Sequence, residues 1–192
     1  MKRLIFLLFF VNTILISLAQ DKSEHLSFKG VPIDGTLNEY VAKMKAAGFS
    51  YLGTQDGTAI LQGDFAGFKN CTVGVSTLKA VNVVSTIGVI FSSHDDWSSL
   101  ERDYDHLKSM LTQKYGEPTE EQFQGRTNPN TNNEKLHELM MDRCTWYTTF
   151  ETTKGDIQLS LQKGDFGQYF VLLKYYDKIN TDTVRSAAMD DL

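Results

Sequence analysis

Basic charge is scarce in this chain, cysteine is scarcer still, and the short motifs of common catalysts are missing. Each shortage removes a class of protein. Of 192 residues, 19 are Lys or Arg and 24 are Asp or Glu, a formal net charge of −5. A nucleic-acid binder needs a basic footprint for the phosphates, and electrostatic docking on anionic lipid needs one too. Neither fits, and the acidic surplus serves solubility. The histidines His25, His94, His106 and His137 show no i, i+4 pairing, and no cysteines stand two or four residues apart, so zinc spacing is absent. His94-Asp95-Asp96 offers hard ligands, but at a position that a helix cap explains. There is no G-x-S-x-G elbow, no S-x-x-K motif with its partners and no Gly-rich phosphate loop. Of the residues flanking Cys71 and Cys144 only Arg143 is a cation, and on a strand it points to the opposite face. The sequence therefore calls for no metal and no cofactor. A glycosidase needs only two carboxylates, so that class stays open.

What is present begins with an export signal. Lys2 and Arg3 precede the nearly unbroken apolar run Leu4 to Leu18, and Ser17-Leu18-Ala19 supplies small residues for cleavage. About 15 apolar residues fall short of the roughly 20 that span a bilayer. The expectation is a signal peptide over 1–19, a single domain over 20–192, a periplasmic or secreted location and no stable membrane insertion after cleavage. Losing Lys2 and Arg3 takes the net charge to about −7. Outside the cytoplasm Cys71 and Cys144 are permitted a disulfide, which would close a loop of about 73 residues. The alternative is two buried thiols acting as small apolar groups.

Hydrophobic spacing predicts an α+β fold with antiparallel sheet packed by helices. Thr36 with Glu39 forms a capping box ahead of the stripe Leu37, Tyr40, Val41 and Met44, and Gly48 ends that helix. Strands are expected at Tyr51-Leu52, at Thr58 to Leu61, and at 71–76, where Cys71, Val73 and Val75 alternate with small polar residues. The stretch 81–91 is apolar on both faces, which predicts a central strand covered on each side. Ser93 with Asp96 suggests the capping box of a second helix, whose stripe is Trp97, Leu100, Tyr104, Leu107 and Leu111. Residues 117–133 read as a long loop, and Thr131 with Glu134 caps a short third helix. Three strands follow, at Cys144 to Thr152, around Ile157 to Leu161, and at Tyr169 to Tyr176; the tail after Asn180 reads as frayed or weakly helical. The order helix, four strands, helix, loop, three strands suggests two similar halves, about 28–92 and 93–178. Gly63-Asp64-Phe65 and Gly164-Asp165-Phe166 are a matching triplet in each.

Aromatic residues are the best functional clue. Trp146, Tyr147 and Phe150 in one strand, with Tyr169, Phe170, Tyr175 and Tyr176 in another, cannot all point one way. Either some lie on a second, exposed face suited to recognition, with Trp146, Tyr147, Tyr169 and Tyr175 as candidates, or that face is covered. The segments FKGVPIDGTLNEYVAKMKAAGF (28–49), YDHLKSMLTQKYGEP (104–118) and TTFETTKGDIQLSL (148–161) resemble uncharacterised small secreted proteins of gut Gram-negative anaerobes. That resemblance implies a periplasmic location and brings no activity or site residue. In outline the architecture resembles TATA-binding-protein-like and beta-lactamase-inhibitor-like repeats of helix and antiparallel sheet. The expected function is a non-catalytic binding or inhibitor module acting on a protein or small ligand in the envelope. The alternative is an envelope or glycan hydrolase with a carboxylate-based site.

Overall fold

A computed structural model describes residues 23–78, 82–125, 129–165 and 167–189, so the expected signal peptide lies outside the described residues. A short ribbon, β1 (Ser27–Phe28) with β2 (Val31–Pro32), leads into α1 (Leu37–Ala46). There the Thr36 hydroxyl accepts from the Glu39 N–H, and the Glu39 carboxylate accepts from the Thr36 N–H at 2.9 Å. Strands β3 (Ser50–Gln55), β4 (Thr58–Phe65), β5 (Phe68–Leu78) and β6 (Val83–Ile90) then form a meander. Helix α2 (Trp97–Tyr115), β7 (Glu120–Gly125), α3 (Asn132–Met140), β8 (Cys144–Thr152), β9 (Gly155–Lys163), β10 (Tyr169–Asp177) and α4 (Lys178–Met189) complete the chain.

The eight longer strands make one antiparallel sheet in the order β3-β4-β5-β6-β10-β9-β8-β7. The protein is thus α+β with antiparallel sheets. A helix followed by a four-stranded meander occurs twice, and the two meanders meet where β6 pairs with β10. The second meander is complete only because β7 lies inside the segment expected to be a loop, pairing with β8 from Glu120↔Thr149 to Gly125↔Cys144. As an edge strand it needs no alternating apolar face, which is why its Glu-Glu-Gln start does not read as a strand. The matching Gly-Asp-Phe triplets do not occupy equivalent places. Gly63 to Phe65 end β4, whereas Gly164 and Asp165 follow β9, and Phe166 lies outside the described residues.

Alternation decides which face is covered. Val73, Ile87, Leu159 and Val171 point to the same side and are buried with Tyr40 and Met44 of α1 and Trp97, Leu100 and Leu107 of α2 in one core. Each such side chain contributes about 1.5–3 kcal/mol of transfer free energy. Across the helix–sheet interface Tyr104 and Thr148, both fully buried, share a hydrogen bond of 2.6 Å. Two glycines are required by contact. A Cβ on Gly63 would lie 2.5 Å from the Phe49 ring, and one on Gly155, at φ +142°, would lie 2.0 Å from the Tyr176 carbonyl oxygen.

Helix α2 starts later than its sequence suggests. His94 and Tyr169 exchange backbone hydrogen bonds of 2.7 and 2.8 Å, which holds the chain extended through His94. The cap is therefore Asp96, accepting from the Ser99 N–H at 2.9 Å, rather than Ser93. The C-terminal tail is an ordered helix for a similar, non-local reason. Fully buried Asp177 accepts from the Leu26 N–H (2.8 Å) and the Asn180 N–H (2.9 Å) and bonds the His25 ring (3.0 Å). Asn180 donates onward to the Ile33 and Val84 carbonyls at 2.9 and 3.0 Å. This knot ties the N-terminal ribbon, β6 and α4 to the end of β10.

Candidate functional site: the open face of the sheet

The second face of the sheet follows from the same alternation. Its central row runs Ile60, Gly74, Gly88, Lys174, Gln158 and Thr149 across six strands. The next row runs Gln62, Thr72, Ile90, Leu172, Ser160 and Tyr147. Among the described residues, little approaches its middle. A Cβ added to Gly88 would have only Leu172 Cδ1 within 4 Å, at 3.9 Å, and one on Gly74 only Thr58 Cγ2 and the Gly88 carbonyl. Ile90 is 38% exposed there. The strand β6 is central as expected, but one of its faces is open rather than covered.

Of the four aromatic candidates only Tyr147 belongs to this face. On β8 the even residues turn to the helices, so Trp146 packs edge-on against Trp97 with ring centroids 4.9 Å apart. On β10 the odd residues do so, and Tyr169 and Tyr175 are buried core. The open face instead receives Phe170 and Tyr176, both half-buried. The Tyr147 hydroxyl donates to Glu120 Oε1 at 2.7 Å, and this bond to a carboxylate pushes its phenol pKa up. The disulfide is also corrected. Cys71 on β5 and Cys144 on β8 are four strand spacings apart, about 19 Å at the usual inter-strand distance, beyond the reach of an S–S bond. Both thiols are free, and burial is the largest cause raising each above its ordinary value.

One feature breaks the uniformity of the face. The β8–β9 ladder runs from Thr152↔Gly155 to Tyr147↔Ser160 and stops, although both strands continue. Beyond that point β8 follows β7 and β9 follows β10, so the sheet forks. Helix α3, inserted between β7 and β8, packs against both prongs. The fork is a cleft of about 480 Å³ with Thr145, Tyr147, Gln158, Ser160 and Gln162 on its open-face side and Leu139 and Leu161 on the helix side. Its one ion pair is internal: the Lys163 ammonium bonds Asp142 and also donates to the Met140 carbonyl at 3.1 Å. None of these polar residues stands out in the sequence; the visible signal is only that the strands' second faces are small and polar.

The His94 ring, from the His94-Asp95-Asp96 run, bonds Asp103 of α2 at 2.7 Å, both side chains largely buried. Among the described residues no group of three His, Cys, Asp or Glu is placed to hold a metal, and no helix is long and apolar enough to cross a membrane. Glu151 and Asp156 stand directly opposite one another on β8 and β9, both exposed, at the rim of a recess that also includes Asp182 and Arg185 of α4. No protein-family model matches this chain, and neither does any curated protein or solved structure.

Proposed function

We propose that the protein is a non-catalytic binding or inhibitor module, exported to the periplasm or beyond, that engages its partner through the open face of the eight-stranded sheet. The observation that carries this is the uncovered centre at Gly74 and Gly88, a surface with Lys174 as the one charge in its two central rows and otherwise rimmed by Thr, Gln, Ser and Tyr side chains. Strands apolar on both faces normally acquire a second layer. Here exposed Ile90 and half-buried Leu172 lie beside glycines, which leaves a surface suited to close approach by another backbone. Export rests on Lys2, Arg3 and the apolar run that follows. The alternative, a carboxylate hydrolase, finds its best support in Glu151 and Asp156. They sit in solvent at the rim, and the two central rows of the face contain no acid.

The test is capture of an envelope partner by the chain recovered from the periplasm, whose first residue should be Gln20. Gly88→Arg has room to extend from the face and should abolish capture while leaving the fold intact. Lys114→Glu, on the helix side, should leave capture unchanged. Loss on Lys114→Glu alone, or an uncut chain confined to the cytosol, would refute the reading.

A further inference from the structure

The duplication supplies an internal control for the fork. The first-half equivalents of β8 and β9 are β4 and β5, and their ladder runs to the very end: Thr58 pairs with Ser76, their hydroxyls 3.2 Å apart. There β3 and β4 are joined by Asp56-Gly57 alone. In the second half the same connection carries α3, and the equivalent ladder stops short, leaving Thr145 opposite Gln162 and Cys144 opposite Lys163 without ladder pairing. Along an antiparallel strand, successive residues turn their N–H and C=O to alternate sides. One residue of each couple, Cys144-Thr145 on one lip and Gln162-Lys163 on the other, therefore presents its main chain to the cleft. Among the described residues no other strand or turn bonds those groups from within the fork.

The geometry points to the β8–β9 fork as the seat of an extended, uncharged polypeptide segment of the partner, held by main-chain hydrogen bonds to the open lips. This deepens, and rests on, the reading of the open face as a binding surface. Two residues of lip on each side give about 7 Å of strand edge, room for a stretch of two or three residues. Main-chain pairing of this kind supplies affinity, while side-chain pockets supply selectivity. Selectivity here favours neutral side chains. Thr145, Gln158, Ser160 and Gln162 are uncharged, and among the described residues that line the cleft the two charged ones, Lys163 and Asp142, already neutralise each other. Leu139 and Leu161 close the helix side, so the segment enters from the open face.

A random dodecamer peptide library displayed on phage, selected against the chain from Gln20 onward, tests this. Enriched peptides are resynthesised and titrated by fluorescence polarisation against wild type, Thr145→Arg, Gln162→Trp and Gly88→Arg. The expected result is uncharged consensus peptides whose Kd weakens at least tenfold on Thr145→Arg and on Gln162→Trp. Lys114→Glu, on the helix side and titrated alongside, should change it less than twofold. Amide exchange should slow at 144–145 and 162–163 when peptide is bound. Thermal melts verify folding, and exposed Thr145 carries the test if Gln162→Trp unfolds. Peptides sensitive only to Gly88→Arg would overturn the fork assignment while sparing the open-face reading; insensitivity to every variant would overturn both. An empty selection, or chitotriose titrating in a Thr145→Arg-sensitive way where peptides do not, would overturn the peptide assignment.

Discussion

The hydrogen bond between Tyr104 and Thr148 is the cleanest place to test how the helix layer is fastened to the sheet. Both residues are buried, at 1% and 0% exposure, and their hydroxyl oxygens lie 2.6 Å apart. Burial, followed by the smaller opposing effect of this bond, moves the Tyr104 phenol far above its ordinary value, so it remains a neutral group throughout the working pH range. Tyr104→Phe removes one hydroxyl and takes from Thr148 a partner that water cannot replace. Leaving a buried polar group unsatisfied costs about 1–3 kcal/mol. Thr148→Val removes the other hydroxyl of the pair at nearly constant volume, with a cost of about 0.5–1.5 kcal/mol for the lost bond. The double variant deletes both hydroxyls and leaves an apolar contact, which should restore most of the loss. Urea unfolding followed by tryptophan fluorescence should therefore give two destabilised single variants with unchanged m-values. Their effects should fail to add by about 1–2 kcal/mol. Additive single effects, or single effects below about 0.5 kcal/mol, would show that the bond contributes nothing to the fastening.

Two further predictions concern charge. Burial first, then the carboxylates of Glu138 and Asp142, raise the Cys144 thiol, and alkylation requires the thiolate. At about pH 8 iodoacetamide should modify Cys144 more slowly in the native protein than in the unfolded chain, and Glu138→Gln should narrow the gap; equal rates would contradict this. Hydrogen bonds from the helix starts lower the pKa of Glu39, Asp96 and Glu134: Thr36 N–H first for Glu39, Ser99 N–H for Asp96, and Asn130 N–H for Glu134. A lowered folded-state value means that the stability they add is present above the ordinary values of 4.5 and 3.8 and fades as pH falls through the lowered ones. Acid titration of Glu39→Gln should show a shallower loss of helicity than wild type, and superimposable curves would count against the capping account.

Local chemistry was readable and non-local pairing was not. Thr36 with Glu39, and Thr131 with Glu134, mark the starts of α1 and α3 because a capping box needs only four consecutive residues. The start of α2 escaped because its determinant is Tyr169, which holds His94 extended from across the sheet. Edge strand β7 escaped for the same reason: its conformation is set by β8, not by its own Glu-rich sequence. Alternation showed that Trp146 and Tyr147 face opposite ways, but which of the two meets solvent depends on where α2 places Trp97. Helix α4 reads as a polar tail until Asp177 and Asn180 are seen bonding the N-terminal ribbon. The fork has no signature at all in the strands that form it, since Thr145 and Gln162 are ordinary strand residues until their pairing is withheld.

That withheld pairing is difficult to explain by stability alone. Closing the fork as the first half closes would add backbone hydrogen bonds, each worth about 0.5–1.5 kcal/mol net. It would also place Thr145 and Gln162 in a cross-strand contact like the one Thr58 makes with Ser76. What α3 provides in exchange is burial of Leu139 and partial burial of Leu136, the approach of Lys135 to within 5.0 Å of the Trp97 ring centroid, and a buried Glu138 bonded to Arg143 at 2.8 Å. A buried ion pair is weak support for stability, and this one leaves Glu138 Oε2 and Arg143 Nε without hydrogen-bond partners. The insertion therefore returns little beyond what a two-residue turn would give, yet it holds two strand edges apart on the face whose centre stays open at Gly74 and Gly88. A cleft maintained against the pairing preference of its own walls is what a seat for another chain requires.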